Sequence, residues 1–436
     1  MLFWIFVGAM TLYMLTYIHH IVVRRQVFSV NTFIVLGVVA PLVLYLLNWS
    51  GQIETQRADM FYVLFIYLFV AGILYMLLEK KRPTAPAMLA RSNRALPLWA
   101  VNVGLILLIL LENLIATGHV APALIGVDSH AKQAPILVYL TRASYAVVAL
   151  DVVFFLIEKK ARHLIWAGVV LLIPIITTSS RMLSVQSGSQ AAALLLFLLT
   201  SGMSGAVGRL TKAKRIRLLM ITGIVLVAAV LFLIYVGINR MNRYGTYALT
   251  YSEGIQYHGP GGEIMAWLYG YFVLPFNNLN LSIKHVAAEH NYFGLYSFAP
   301  VFFGILQFDN LFGLTNDYVQ KIAMYITKAA MVPTGFWTFY YDFGAFSFVP
   351  IVAAFALVMF LRWMMLREGK NRYVFMMLYF YFAPQWLFMG FTNTVFDVTA
   401  AATALFVVLL SRYYLTGEQA PAKDNNMLGS KAADDP

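Results

Sequence analysis

One segment of this chain could move a proton, and arginines close to it could hold an anion. His258 lies in the turn His258-Gly259-Pro260-Gly261-Gly262, with Glu253 and Glu263 on either side. Imidazole changes charge near neutral pH, so His258 is the first candidate for a general base or acid, and Glu253 the second. Arg181, Arg240 and Arg243 outnumber the acids near them in sequence. Surplus guanidinium groups grip phosphate oxygens two at a time and stabilise a departing phosphate. Arg142 lies within an apolar run; it adds a further cation or pairs with Glu112 of the preceding run. The plainer alternatives are arginines that snorkel to lipid headgroups and a histidine that is only solvated.

What is missing narrows the chemistry. The chain has no cysteine, hence no thiolate nucleophile or thiolate metal site. It has no HExxH, no Walker A loop and no GxSxG, and the acids of its external segments are isolated. These residues therefore suit a reaction that needs no metal and no cofactor.

The elements that must position these groups are hydrophobic. Of the 436 residues, 61% are hydrophobic and 11% charged, and the mean hydropathy is +0.74. A chain with so few charges could not cover a water-facing surface, so it reads as an all-α polytopic membrane protein. Apolar runs fall near 2–18, 32–49, 60–78, 98–116, 136–157, 164–177, 191–207, 218–238, 345–362, 373–391 and 398–415, which predicts about eleven transmembrane helices. Taking alternate connecting segments, one set holds 22 of the 31 Lys and Arg. Basic residues stay cytoplasmic, so this set lies inside, with the N-terminus outside and the C-terminus inside. The net charge of +12 is then an anchor to anionic lipid, and no nucleic-acid partner is expected. Residues 239–344 form the one long break in the rhythm and lie outside. Their mixture of Trp, Tyr, Phe, Gly and Asn predicts short interfacial helices. Residues 1–416 read as one bundle that includes this loop, and 417–436 as a disordered cytoplasmic tail.

The pattern resembles the bacterial oligosaccharide repeat-unit (O-antigen type) polymerases, relatives of the O-antigen ligases. Thr178-Ser179-Ser180-Arg181 before an apolar run is similar to that family's Ser-Arg element. Tyr269-Gly270-Tyr271-Phe272-Val273-Leu274-Pro275-Phe276-Asn277-Asn278 resembles its Tyr…Pro-x-x-Asn stretch, and Asp342-Phe343-Gly344 its Asp-Phe-Gly turn. Arg243 and Gly254 fit an Arg-x10-Gly spacing, though no second external loop repeats it. The resemblance implies a bundle like that of the C-type glycosyltransferases in a Gram-negative inner membrane, with the active site facing the periplasm. It also implies transfer of a glycan from undecaprenyl diphosphate to the terminal sugar of a lipid-linked repeat unit. Arg181, Arg240, Arg243 and Arg142 would hold the diphosphate, and His258 or Glu253 would take the acceptor's proton. Trp267, Tyr269, Tyr271, Asn277, Asn278, Trp337 and Tyr340 would bind glycan. Asp342 would orient the turn into the next span and pair with an arginine. The family further implies a chain-length-regulating co-polymerase as partner.

Three other readings use the same inventory. An O-antigen ligase, which moves finished polymer to a lipid core, shares the chemistry. A lipid-linked oligosaccharide flippase or other transporter would concentrate polar groups along a midplane path, whereas here they gather in one loop. A scaffold for polysaccharide assembly would not need the surplus arginines.

Overall fold

A computed structural model of the chain is mostly helical. The structure describes residues 1–24, 27–79, 88–92, 95–122, 137–177, 182–200, 211–244, 251–292, 294–298, 325, 334–367, 371–392 and 398–418. Helices α1 (Leu2–Arg24), α2 (Val30–Leu47, with a π turn at Val35–Val39) and α3 (Asp59–Leu78) come first. Strand β1 (Met88–Arg91), α4 (Leu98–Thr117), the short α5 (Leu137–Thr141), α6 (Ser144–Glu158), α7 (Arg162–Thr177) and α8 (Met182–Thr200) follow. Then come α9 (Lys212–Tyr244), the single turn α10 (Tyr251–Gly254), α11 (Gly262–His285) and α12 (Phe336–Phe343). The last elements are α13 (Phe348–Leu366), α14 (Arg372–Phe382), α15 (Val398–Tyr414) and β2 (Leu415–Glu418).

Among the described residues, seven helices are long and apolar enough to cross a membrane: Leu2–Val23, Val30–Leu47, Asp59–Leu78, Leu98–Thr117, Tyr139–Glu158, Leu183–Thr200 and Phe348–Leu366. Arg162–Thr177 and Ala400–Tyr414 are apolar but shorter. Leucines and isoleucines such as Leu74, Leu78 and Ile115 point outward on these helices, a surface that lipid tails would cover. The chain is a helical membrane protein.

Two expectations need correction. Within 239–344 the structure places α11, a 24-residue helix, where short interfacial pieces were expected. Its residues from Val273 to Asn280 are all buried, so it is an internal element packed on α2, α3 and α12. Three asparagines in that stretch lower its hydropathy, which is why it does not look like a buried helix in sequence. The second concerns the start of the tail: Gly417 and Glu418 pair antiparallel with Leu89 and Met88. The rest of the tail, 419–436, lies outside the described residues.

The core is aromatic where it supports α11. Phe65 on α3 meets Phe276 of α11 at 5.8 Å and Phe336 of α12 at 5.4 Å. At the opposite end of the bundle, buried Arg362 bonds Glu79, Phe28 O and Tyr379, while His20 Nε2 lies 3.0 Å from Glu79. A second ionic knot joins Asp151, His163 and Glu158, with Asn102 donating to Asp151. Such buried ion pairs are costly to break on one side only.

The tightest approach is backbone on backbone. The π turn of α2 meets the 3-10 turn Ala383–Leu387, and a Cβ built on Gly37 would lie 2.4 Å from Leu387 O. Gly390 closes the other side: a Cβ built on it would lie 2.5 Å from Gly37 O. Only glycine permits this contact, because the obstruction is main chain and cannot rotate away. Gly37→Ala should therefore destabilise the protein by about 1–3 kcal/mol, as overpacking does. The check is thermal unfolding in detergent, and an unchanged melting temperature would mean the two turns do not touch.

Candidate functional site

The site is built on the loop between α2 and α3, residues 48–58. A loop this polar must find partners for its own amides and carbonyls. Two asparagines of α11 supply them. Asn277 Oδ1 accepts from Glu54 N at 2.9 Å, and its Nδ2 donates to Gln52 O at 3.1 Å. Asn280 repeats the pattern: Oδ1 accepts from Ala58 N at 2.8 Å and Nδ2 donates to Gln56 O at 3.1 Å. A carboxamide carries one acceptor and one donor group, as a peptide unit does, so each Asn pairs with the loop as a neighbouring strand would. The i, i+3 spacing puts both amides on one face of α11.

The other half of the loop pairs with the turn after α10. Ser50 faces Tyr257 in an antiparallel bridge, Ser50 Oγ donates to Ile255 O at 2.5 Å, and Gly51 N donates to Gln256 O at 3.0 Å. His258 N donates to Trp49 O at 3.0 Å, and Trp49 N donates to the Tyr269 hydroxyl at 2.7 Å. Burial pushes the Tyr269 phenol up to about 12, so it stays neutral at working pH.

His258 thus stands on a fixed platform and is itself exposed. Its Nε2 lies 3.1 Å from Asn48 O and its Nδ1 3.3 Å from Gln256 O. Both ring nitrogens therefore face carbonyl oxygens, and one of them must turn away before His258 can accept a proton from a substrate. Glu253 is exposed on α10, five residues before it. Glu263, in the first turn of α11, accepts from Ser252 N at 3.0 Å and so ties α10 to α11.

The remaining sequence-selected residues divide by burial. Trp267 stacks on Tyr271 at 5.1 Å and 16°, and Tyr271, 45% exposed, also meets Phe391 at 4.8 Å. Of the aromatic residues selected for glycan, Tyr271 is the exposed one. Tyr269, Trp337 and Tyr340 are buried, as are Asn277 and Asn278, and the Asn277 amide is engaged by the loop. Asp342 is buried and accepts from Tyr296 N at 3.0 Å and Ser297 N at 2.5 Å. Burial pushes its carboxyl up, and those N–H donors pull against the shift. Arg142 is half-buried, its Nε makes no hydrogen bond, and its field acts on Glu112, which hydrogen-bonds Thr141. Arg240 and Arg243 lie on α9, but their side chains fall outside the described residues, as does Arg181 entirely.

Sequence reading passed over Arg57, Glu54 and Lys284. Lys284 Nζ lies 3.6 Å from Glu54 Oε2. The Gln56 N–H holds the Glu54 carboxyl below the usual range, and Lys284 adds to the effect. Arg57 lies over the Tyr45 ring at 4.7 Å. Charges in an eleven-residue connection look solvated; the signal that could have found them is the asparagine pair far along the chain.

Comparison of the chain with protein-family models, curated proteins and solved structures finds no match.

The clamp has a direct test. Asn277→Leu keeps the volume but strands Glu54 N–H and Gln52 C=O, each a loss of about 1–3 kcal/mol. Amide exchange across residues 50–58 should accelerate and the melting temperature should fall. Unchanged exchange would show that α11 does not hold the loop.

Proposed function

We propose that the chain is a membrane glycosyltransferase that polymerises lipid-linked oligosaccharide repeat units outside a bacterial inner membrane. The reading takes eleven spans with the N-terminus outside and residues 239–344 in the periplasm, as the distribution of basic residues suggests. The observation that carries it is the platform: a proton-handling His258, acids and cations all borne by the 48–58 loop, the 252–258 turn and α11, at one end of the bundle. The stacked Trp267 and Tyr271, with Tyr271 exposed, suit the apolar face of a sugar.

In this reading Arg181, Arg240, Arg243 and Arg142 hold the diphosphate of the donor. The acceptor hydroxyl gives its proton to His258, or to Glu253, and its oxygen attacks the anomeric carbon from the face opposite the carrier. The bond from that carbon to the diphosphate oxygen breaks, undecaprenyl diphosphate leaves with the electron pair, and the configuration inverts. Neutralising charge on the leaving group lowers the barrier, so removing one such cation costs about 10²–10³ in rate. The buried ionic groups elsewhere, around Glu79 and Asp151, pair with one another, which favours a transferase over a transporter.

Purified protein incubated with one synthetic lipid-linked repeat unit, with EDTA present, should give a ladder of products. Arg181→Ala and Arg243→Ala should leave single repeats, in vitro and on the cell surface. Normal polymer length in both variants would discard the arginine assignment. Loss of the gene should leave one repeat on the lipid core, and a bare core would indicate a ligase instead.

A further inference from the structure

We propose that Arg57 is a preorganised binding residue for a substrate oxyanion, a role that rests on reading this end of the bundle as substrate-facing. Four observations carry it. The guanidinium is held in place, over the Tyr45 ring at 4.7 Å and with Nη1 donating to Thr55 O at 3.4 Å. Its Nε is buried without a hydrogen bond, and among the described residues no carboxylate lies within 4 Å of it. The nearest acid along the chain, Glu54, is already engaged by Gln56 N at 2.9 Å and by Lys284 at 3.6 Å. Finally, the asparagine clamp fixes the backbone on both sides of Arg57, at Glu54 and at Ala58.

A half-buried guanidinium without a counter-charge is costly, and an anionic ligand removes that cost. Because loop and ring already hold it, little freedom is lost on binding. The paired N–H groups of a guanidinium suit two oxygens of one group, as in a diphosphate or a carboxylate. Arg57 is carried by the loop whose Asn48 and Trp49 carbonyls hold His258, so the anion would bind on the loop that supports the proton-handling group. Two sources fit this chemistry: the diphosphate of a polyprenyl carrier, or the carboxylate of an acidic sugar.

The test uses the full-length protein in detergent at low ionic strength, titrated with inorganic diphosphate and, separately, with glucuronate. Arg57→Gln should weaken binding of the preferred anion about tenfold, the loss of one charge-assisted pair. Arg57→Lys should fall between, since it keeps the charge but not the fork. Glu54→Gln should act with the opposite sign, tightening binding about two- to fivefold by removing a nearby negative charge. That second variant keeps the test decisive if Arg57→Gln does not fold. Preference for diphosphate assigns the site to the carrier head, and preference for glucuronate to the sugar. No binding of either, or binding that ignores both substitutions, overturns the proposal. If binding follows Arg57 while no variant and no wild-type protein polymerises glycan, the oxyanion site stands and the transferase reading falls.

Discussion

Two side-chain amides hold this structure's functional end together. Asn277 and Asn280 each offer a donor and an acceptor to the backbone of the 48–58 loop, more than 200 positions away in sequence. A buried carboxamide left unmatched would destabilise α11 by about 1–3 kcal/mol for each stranded group. A loop left unmatched would expose its own amides against an apolar bundle. Each cost is met by the other element, so neither conformation makes sense alone. Trp49, Ser50 and Gly51 extend the same pairing to the 252–258 turn, and the Tyr269 hydroxyl of α11 accepts from Trp49 N.

The arrangement converts three separate pieces of chain into one rigid surface. The aromatic wedge of Phe65, Phe276 and Phe336 fixes α11 from below. The glycine contact between Gly37 and the 383–387 turn brings α2 close enough for its following loop to reach α11. On that surface stand His258, Glu253, Arg57 and the Glu54–Lys284 pair. Charged groups fixed in advance act on a substrate without first being reorganised, which is the property a transfer site needs.

Much of the frame was legible in the sequence because lipid imposes a crude rule: apolar runs of helix length. Leu2–Val23, Asp59–Leu78 and Phe348–Leu366 follow it plainly. α11 escapes the rule, since its Asn277, Asn278 and Asn280 make it look like a water-facing loop. Polarity there serves a protein backbone rather than solvent, and hydropathy cannot distinguish the two. His258 and Tyr269 stood out by type, yet their partners Asn48 and Trp49 belong to a distant loop with no motif of its own. Arg57 was hidden for the same reason. A single cation between two spans carries no pattern; its meaning comes from the clamp and from the prior engagement of Glu54. The β1–β2 pairing joins residues more than 300 positions apart and was equally silent.

The central claim is that the 48–58 loop and the 252–258 turn are one unit. The chain has no cysteine, so a pair introduced at Ser50 and Tyr257, opposed in the antiparallel bridge, can be read without interference. Opposed residues of such a pair stand about 4.5–5.5 Å apart between Cα atoms, within reach of a disulfide. Mild oxidation of the S50C/Y257C protein in its native membrane should form the cross-link nearly completely, seen as a shifted band without reductant. Absence of that band, with both thiols shown to be accessible, would contradict the account.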